Sequence, residues 1–223
     1  MIRILALSDQ VVNTFYQATL ADLVGRVDVL LGCGDLPYTY MEHIVTTLNL
    51  RDAFFVPGNH DAEEWLSAGG SLQSPGGWQN VDGRAALATG KALIVAGLGG
   101  SPRYQRHAGN QYSEFEMAMR AWQLVPRFLF NRMRYGRYVD VFITHAPPRD
   151  IHDGPDRAHR GFAVFRRVIQ QFRPRLFLHG HMHQYGPGTW HTRYEDTEVV
   201  NVHPFRVIEL EAERISYGRL HRH

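Results

Sequence analysis

The segment Pro57-Gly58-Asn59-His60-Asp61 directly follows the apolar run 53–56, and it sets a pattern that recurs along the chain. A short run of aliphatic and aromatic residues predicts a buried strand, and the proline and glycine predict the turn that ends it. Two earlier apolar runs, 2–8 and 27–31, also end at polar turns, and helical patterns separate the three. This alternation of strand and helix predicts an α/β fold.

The second half of the chain repeats the pattern. Residues 139–144 predict a strand that ends at His145, and residues 176–178 predict one that leads into His179-Gly180-His181-Met182-His183. Helices are also predicted over 15–24, 40–50 and 161–172, and a capping box of Ser113 with Glu116 predicts the start of another helix, which breaks near Pro126. A hairpin is predicted for 84–89 with 92–96 around a turn at 89–91. We further predict a loop over 69–77 and an antiparallel meander over 189–217.

Composition places the chain among folded globular proteins. Its 223 residues suit a single domain spanning 1–223. Cys33 is the only cysteine, so an intrachain disulfide is excluded, and no apolar run approaches the ~20 residues of a membrane span. We therefore expect a cytoplasmic protein without a membrane partner. The formal charge of +2, without a basic run, makes nucleic acid an unfavoured partner, and the oligomeric state stays open.

Polar side chains that can bind metal follow most of the predicted strands. The carboxyl ends of strands in an α/β sheet meet at one crevice, so these side chains are expected to converge. Mixed oxygen and imidazole ligands suit a hydrolytic site for Mn, Fe, Zn or Ni. Taken alone, a histidine at a strand end is more often a hydrogen-bonded structural residue, and Gly-Asp is a common turn. The candidates are Asp9, Asp35, Asn59, His60, His145, His181 and His183.

The order of these blocks resembles the calcineurin-like metallophosphoesterase superfamily, whose signature runs Asp-x-His, Gly-Asp, Gly-Asn-His-Asp/Glu, His and Gly-His-x-His. The resemblance spans residues 2–183. It implies a four-layer αββα sandwich of two mixed β-sheets flanked by helices. The matching blocks are Ser8-Asp9-Gln10-Val11, Gly34-Asp35, Gly58-Asn59-His60-Asp61, Thr144-His145 and Gly180-His181-Met182-His183.

The resemblance also implies roles for these residues. Asp35 would bridge two divalent ions, Asn59, His145 and His181 would complete the second site, and Asp9 and His183 would hold the first. Two such ions would activate water and neutralise charge on phosphorus. His60 would act beside the leaving oxygen as the catalytic residue. The expected activity is metal-dependent hydrolysis of a phosphomonoester or phosphodiester, with a small molecule such as a nucleotide as substrate.

The sequence departs from the signature at Val11, which stands where the family has a metal-binding histidine. Water, substrate, Gln10 or Asn13 could fill the gap, although amide oxygens are poorer ligands than imidazole for transition metals. For Asn13 we prefer the role of a helix cap. Three outcomes follow: a two-metal enzyme with a weak first site, a one-metal enzyme, or a phosphate-ligand or protein-interaction module that has lost catalysis.

The polar loop over 97–111 supplies candidates for substrate binding. Arg103 or Arg106 could bind phosphate and Tyr104 could stack on a base, and a solvated surface loop is an equal alternative. Asn59 is a candidate for substrate contact as well as for metal. A nuclease with the same chemistry would need a continuous basic groove, which the scattered arginines do not establish.

Two further residues near the motifs leave alternatives open. Asp61 could orient the His60 ring, or it could cap a helix that begins near Glu63. His152 follows the His145 segment and could face the crevice, but a surface role is preferred.

Overall fold

The computed structural model describes residues 1–17, 20–61, 64–65, 70–88, 92–105, 109–183, 189–211 and 215–217. The predicted turn at 89–91 and the candidate Arg106 lie outside these residues. The strands are β1 Ile2–Leu7, β2 Val29–Gly32, β3 Ala53–Phe55, β4 Glu64–Trp65, β5 Ser71–Leu72, β6 Gln79–Asn80, β7 Arg84–Ala88, β8 Leu93–Leu98, β9 Ser101–Pro102, β10 Gln111–Tyr112, β11 Val141–Thr144, β12 Leu176–His179, β13 His191–Tyr194, β14 Thr197–Asn201, β15 Phe205–Leu210 and β16 Ile215–Tyr217.

Five α-helices and one 3-10 helix lie between the strands of the described chain. Helix α3 starts with the predicted capping box, in which the Ser113 side chain accepts from the Glu116 backbone and the Glu116 side chain accepts from the Ser113 backbone. Pro126 falls in the first turn of α4, where its missing N–H costs no hydrogen bond. The helices are the 3-10 helix Asn13–Tyr16, α1 Leu20–Val24, α2 Tyr38–Thr47, α3 Glu114–Gln123, α4 Val125–Tyr135 and α5 Ala163–Phe172.

Two six-stranded mixed sheets form the centre of the molecule. The first has the order β16-β15-β1-β2-β3-β6, and the second has the order β13-β14-β12-β11-β8-β7. In the first sheet β1, β2, β3 and β6 run parallel while β15 pairs antiparallel with β1. In the second sheet β8, β11, β12 and β14 run parallel, and the predicted β7–β8 hairpin is confirmed.

Alternation along the strands sorts the apolar residues into three layers. In β1, Ile4 and Ala6 face the cluster between the two sheets, whereas Leu5 and Leu7 face the helices over the first sheet. In the same way, Phe142 of β11 packs under the helices over the second sheet. Each sheet is therefore buried on both faces, which explains why its strands are continuously apolar. The predicted αββα sandwich is confirmed.

Three predictions about local elements are wrong. The segment predicted as one helix over 15–24 splits into a 3-10 helix and the short α1. The predicted loops over 69–77 and 97–111 contain the short strands β5, β9 and β10. The tail over 189–217 is not one meander, because β14 joins the second sheet beside β12 and β15 joins the first beside β1. Local turn signals cannot reveal this exchange between sheets.

Within the described residues, none of the helices combines the length and the apolar character that crossing a bilayer requires.

Candidate metal centre

Three of the candidate residues come two or three residues after the end of a strand and have a backbone conformation that is unusual for residues other than glycine. Asp9, Asp35 and His181 have φ values of 64°, 56° and 64°. A non-glycine residue in the left-handed region carries strain of about 1–3 kcal/mol, and such residues concentrate at functional sites. The chain therefore turns sharply at the ends of β1, β2 and β12, and the three side chains are brought to one edge of the sandwich.

A compact group of donors lies at this edge. Ligand atoms of Asp35, His145 and His181 all lie within 4.8 Å of one another. The His145 Nε2 atom is 3.3 Å from Asp35 Oδ2 and 3.1 Å from His181 Nδ1. Asn59 Oδ1 is 3.0 Å from the same His145 nitrogen. Two imidazoles, a carboxylate and an amide oxygen thus converge, as the sequence predicted.

Backbone carbonyls orient both imidazoles of this group. His145 Nδ1 is 2.8 Å from the Cys33 carbonyl oxygen, and His181 Nε2 is 2.8 Å from that of Ala158. Each ring therefore uses one nitrogen for the protein and presents the other to the group of donors, the arrangement found around metal-binding histidines. Both side chains are buried, at 0% and 8% exposure for the two residues.

Burial and mutual charge shift the pKa values of all three side chains in this group. Burial opposes protonation of His145, but Asp35 and Asp9 outweigh it and raise the His145 pKa to about 9. Burial and the charge of His145 lower the pKa of His181 to about 4. Burial would raise the pKa of the Asp35 carboxyl, but the hydrogen bonds of this group with His145 and the His60 backbone N–H lower that pKa. The two histidines are thus held in different protonation states.

Two glycines of the motifs are required by close packing. A Cβ atom on Gly58 would collide with the Asp35 carboxylate, and one on Gly180 would collide with Ser8 and Asp9. The glycines therefore let the backbone pass beside the acidic side chains.

The comparison with protein families decides the relationship. The model for calcineurin-like phosphoesterases matches residues 2–185. The chain belongs to this family. No curated protein matches the sequence.

Solved structures agree with the family assignment at the level of the fold. TT1561 of Thermus thermophilus aligns at 16% identity over 98% of this chain and 98% of that chain, with a TM-score of 0.62. GAP50, the anchor in the inner membrane complex of Plasmodium, aligns at 11% identity over 99% and 89%, with a TM-score of 0.54. A further crystal structure aligns at 16% identity over 98% and 99%, with a TM-score of 0.65. Identities this low show a shared fold and nothing about substrate.

Asp9 and His183 of this calcineurin-like phosphoesterase form a looser pair. His183 Nε2 is 3.6 Å from Asp9 Oδ1, and the His183 side chain is 49% exposed. Its ring stacks on that of His203 with 4.8 Å between centroids. Both Asp9 oxygens accept from the His181 backbone N–H, and one also accepts from the Ser8 hydroxyl. Burial would raise the Asp9 pKa, but these bonds and the contact with His183 lower it to about 2.

Val11 contributes to apolar packing in this fold. It is partly buried and packs against the cluster between the first sheet and its covering helices. The position that carries a histidine in the family signature therefore contributes here to the core. Gln10 is exposed. Asn13 is the first residue of the 3-10 helix and Val12 occupies the cap position, so the predicted helix cap at Asn13 is wrong.

Asp61 has a role that neither sequence hypothesis describes. Its Oδ2 atom accepts from the backbone N–H groups of Gly58 at 2.7 Å and Asp35 at 3.0 Å, so it ties two motif loops together. Burial and the Asp35 charge raise the Asp61 pKa to about 6 despite these bonds. The predicted cap of a helix near Glu63 is wrong, because the described residues that follow, Glu64–Trp65, form a strand.

Two cavities meet at the candidate centre. One of about 270 Å³ is lined by Asp9, Asp35, His60, His159, His181 and His183. The other, of about 420 Å³, shares Asp35 and His60 and extends over Leu36, Pro37 and Tyr38 toward Asp61 and Glu64. His60 is exposed and borders both.

His159 is a site residue that the sequence did not reveal. Its ring lies 5.4 Å from that of His181, and its Nδ1 atom is 2.8 Å from Asp156 Oδ2. A carboxylate on one imidazole nitrogen fixes the ring and leaves Nε2 for the cavity. The residue lies in a polar loop without motif or periodicity, so only the path of that loop beside Ala158 and His181 brings it here.

The predicted substrate residues are placed differently from each other. The Tyr104 hydroxyl accepts from Asn59 Nδ2 at 3.3 Å, which brings Tyr104 to the metal-binding candidates. The Arg103 guanidinium instead forms an ion pair with Glu116 at 2.9 Å and donates to the Gln111 carbonyl. Arg103 therefore anchors the loop to α3.

His152 is not a simple surface residue as preferred from the sequence. Its ring nitrogens lie 3.0 Å from His179 Nε2 and 2.8 Å from Thr192 Oγ1. His179 is completely buried. Burial lowers the pKa of His152 to about 4 and that of His179 to about 3, so this pair is neutral behind the candidate centre.

Proposed function

We propose that this chain is a metal-dependent phosphoesterase that hydrolyses a small phosphorylated molecule. The observation that carries the proposal is the convergence of Asp35, His145 and His181 within 4.8 Å, with Asn59 Oδ1 3.0 Å from His145. Family membership supports a hydrolytic reaction at this place.

The residues present fit a divalent transition metal. Carboxylate, amide oxygen and imidazole together suit Mn, Fe, Zn or Ni better than Mg or Ca, which prefer oxygen alone. The carboxylates of Asp9 and Asp35 share one cavity, and a cation there would offset the repulsion between them. We assign Asn59, His145 and His181 to one ion, Asp9 and His183 to another, and Asp35 to both.

A divalent ion would supply a Lewis acid and lower the pKa of water. The chain's own residues would position the substrate and supply the proton for the leaving group. Asp35 Oδ1 accepts from the His60 backbone N–H at 2.8 Å, and this bond fixes the start of the His60 side chain at the junction of the two cavities. From there the His60 imidazole would donate a proton to the departing oxygen.

The larger of the two cavities offers room for the leaving group of a phosphate ester. A phosphoryl group at Asp35 and His60 leaves about 420 Å³ over Leu36, Pro37 and Tyr38 for the leaving alcohol. Asp61 and Glu64 border the same space, so a leaving group with further negative charge is disfavoured there. A phosphodiester carries less negative charge than a phosphomonoester, so we propose a phosphodiester as the preferred substrate beside Asp61 and Glu64, with Tyr104 and Asn59 contacting it. Phosphate binding by Arg103 stays a prediction.

Two further proposals concern the domain organisation and the cellular location of the protein. The chain would act as a single domain over residues 1–223 in the cytoplasm. The apolar layers on both faces of each sheet support one cooperative unit, since neither sheet is covered without its own helices and its partner.

The proposal is tested with protein stripped of metal and reloaded with Mn. We expect metal-dependent hydrolysis of bis(4-nitrophenyl) phosphate and slower hydrolysis of 4-nitrophenyl phosphate, with bound metal measured by elemental analysis. His43→Ala is the matched control, because His43 lies in α2 and bonds to the Phe15 carbonyl. Its rate and metal content should equal those of the wild type.

Failure has two distinguishable forms. Protein that binds metal but hydrolyses neither ester would favour the non-catalytic phosphate-binding module that Val11 suggests. Protein that binds no metal at all would contradict the ligand assignments as well as the reaction.

A further inference from the structure

Most of the exposed large apolar side chains in the described part of the chain lie on two consecutive helices. In the described chain, eight such side chains are exposed, and six of them are on α3 and α4. Their exposed fractions range from 49% to 87%. We call this set the α3–α4 face: Phe115, Met119, Trp122, Leu129, Phe130 and Met133.

The sequence spacing of these exposed side chains places them in a stripe along each helix. Phe115, Met119 and Trp122 recur at intervals of four and three, and Leu129 and Met133 are four apart, so each set lies along one side of its helix. On α4 the opposite side is buried through Phe128. Helix α4 is therefore apolar toward the core and again toward the outside, a pattern expected of a helix covered on both sides.

The acidic residues of these helices are confined to the start of α3, where Glu114 and Glu116 form ion pairs with Arg149 and Arg103. No aspartate or glutamate occurs between Glu116 and Asp140, while five arginines do. Two of the five are neutralised by ion pairs, Arg120 with Asp82 and Arg137 with Asp140. Among the described residues, the other three have no acidic partner; they are Arg127, Arg132 and Arg134, all exposed on α4.

An apolar groove continues the face toward α5. Trp122 lines it together with Ala118, Val125, Val164 and Val168. Arg167 and Gln171 of α5 also line the groove, so an inserted apolar group would lie beside a positive charge on that side. The exposed tryptophan thus stands at the junction of the groove and the open face.

We propose that the α3–α4 face is a docking surface for an anionic phospholipid bilayer. Exposed Trp, Phe, Leu and Met side chains flanked by arginines are the composition of helices that lie in the headgroup region. Each arginine near such a surface adds attraction to acidic headgroups. A second copy of the chain fits less well, because a twofold contact of this face with itself would bring uncompensated arginines together.

The inference is independent of the proposed hydrolysis. It also differs from the sequence expectation of no membrane partner, which rested on the lack of a spanning segment. A peripheral contact needs an exposed apolar face and positive charge, and those depend on which sides of α3 and α4 the fold leaves uncovered.

The test is cosedimentation of the full chain with sucrose-loaded vesicles of phosphatidylcholine alone or of phosphatidylcholine with phosphatidylglycerol. We expect binding to the anionic vesicles that weakens with added salt. Arg127→Glu with Arg134→Glu should weaken it about tenfold or more. Phe130→Asp with Met133→Asp should abolish it, and both pairs are exposed, so folding should be retained by circular dichroism.

A charge-matched control separates the contribution of the α3–α4 face to vesicle binding from that of the net charge of the chain. Arg26→Glu with Arg51→Glu makes the same change at exposed positions outside α3 and α4, and its binding should fall less than about threefold by the same electrostatic reasoning. Equal binding to neutral and anionic vesicles, equal loss in the control, or no vesicle binding would overturn the proposal. So would a dimer in light scattering that Phe130→Asp with Met133→Asp dissociates, because the face would then be a protein interface.

Discussion

The two halves of the candidate metal centre are built from the same residue types but with different support. On one side, His145 and His181 are buried and each ring is fixed by a backbone carbonyl at 2.8 Å. On the other, His183 is half exposed and lies 3.6 Å from Asp9, while Val11 packs into an apolar layer. Metal affinity depends on orientation as well as on ligand count, so the buried half should bind first and more tightly.

The largest expected effect tests whether the buried half dominates. His145→Ala removes the nitrogen that faces Asp35, Asn59 and His181, and it leaves the partly buried Asp35 carboxylate without its imidazole partner. We expect metal affinity to fall more than about 100-fold, since even indirect support of a ligand is worth about 10–100-fold. Titration calorimetry with Mn measures this, and His183→Ala is the comparison, for which we expect about tenfold. Equal losses would show that the halves do not differ.

The pH dependence of metal binding sharpens the same comparison. The folded, metal-free protein holds a proton on His145 because the His145 pKa is raised from 6.5 to about 9. This proton stabilises the metal-free fold fully below pH 6.5, and the stabilisation is lost as the pH rises to about 9. Metal binding must release the proton, so affinity should rise over this window by up to about tenfold per pH unit.

Thermal unfolding provides the check. The chelated protein should become less stable between pH 6.5 and about 9, while the Mn-loaded protein should become more stable over the same range. Parallel curves for the two forms would contradict the role of His145 as a protonated residue that becomes a ligand.

A histidine introduced at position 11 tests the half of the centre formed by Asp9 and His183. Val11→His should increase occupancy of the Asp9 and His183 site, with affinity for a second ion rising about tenfold, and lost apolar packing should cost about 1 kcal/mol of stability. Val12→His is the matched control, because Val12 packs against the same cluster. If both variants behave alike in elemental analysis, the vacated ligand position lies elsewhere.

The smallest expected effect concerns the support of Asn59. Tyr104→Phe removes a hydroxyl 3.3 Å from Asn59 Nδ2 and should weaken metal binding about two- to fivefold, as one hydrogen bond allows. The control is Tyr194→Phe, whose hydroxyl bonds to Arg166 and Gln170 outside the cleft. A raised KM with unchanged metal affinity would instead assign Tyr104 to substrate stacking.

Much of the site could be predicted because its residues obey a local rule. A carboxylate or histidine directly after an apolar run falls at a strand end, and strand ends meet in this fold. Asp9, Asp35, Asn59, His145 and His181 were found in this way. The role of Asp61 and the contribution of His159 could not be, since each depends on a loop folding back over a motif distant in sequence.

The sequence by itself determined the family, the α/β class and the order of the motif residues, because apolar periodicity and motif spacing are properties of short segments. Tertiary structure alone decided three things: the division of the C-terminal strands between the two sheets, the burial that separates His145 from His183, and the outward apolar side of α4. The physical reason is the same for all three. Burial and pairing depend on what packs against a segment, and that partner is set by long-range contacts.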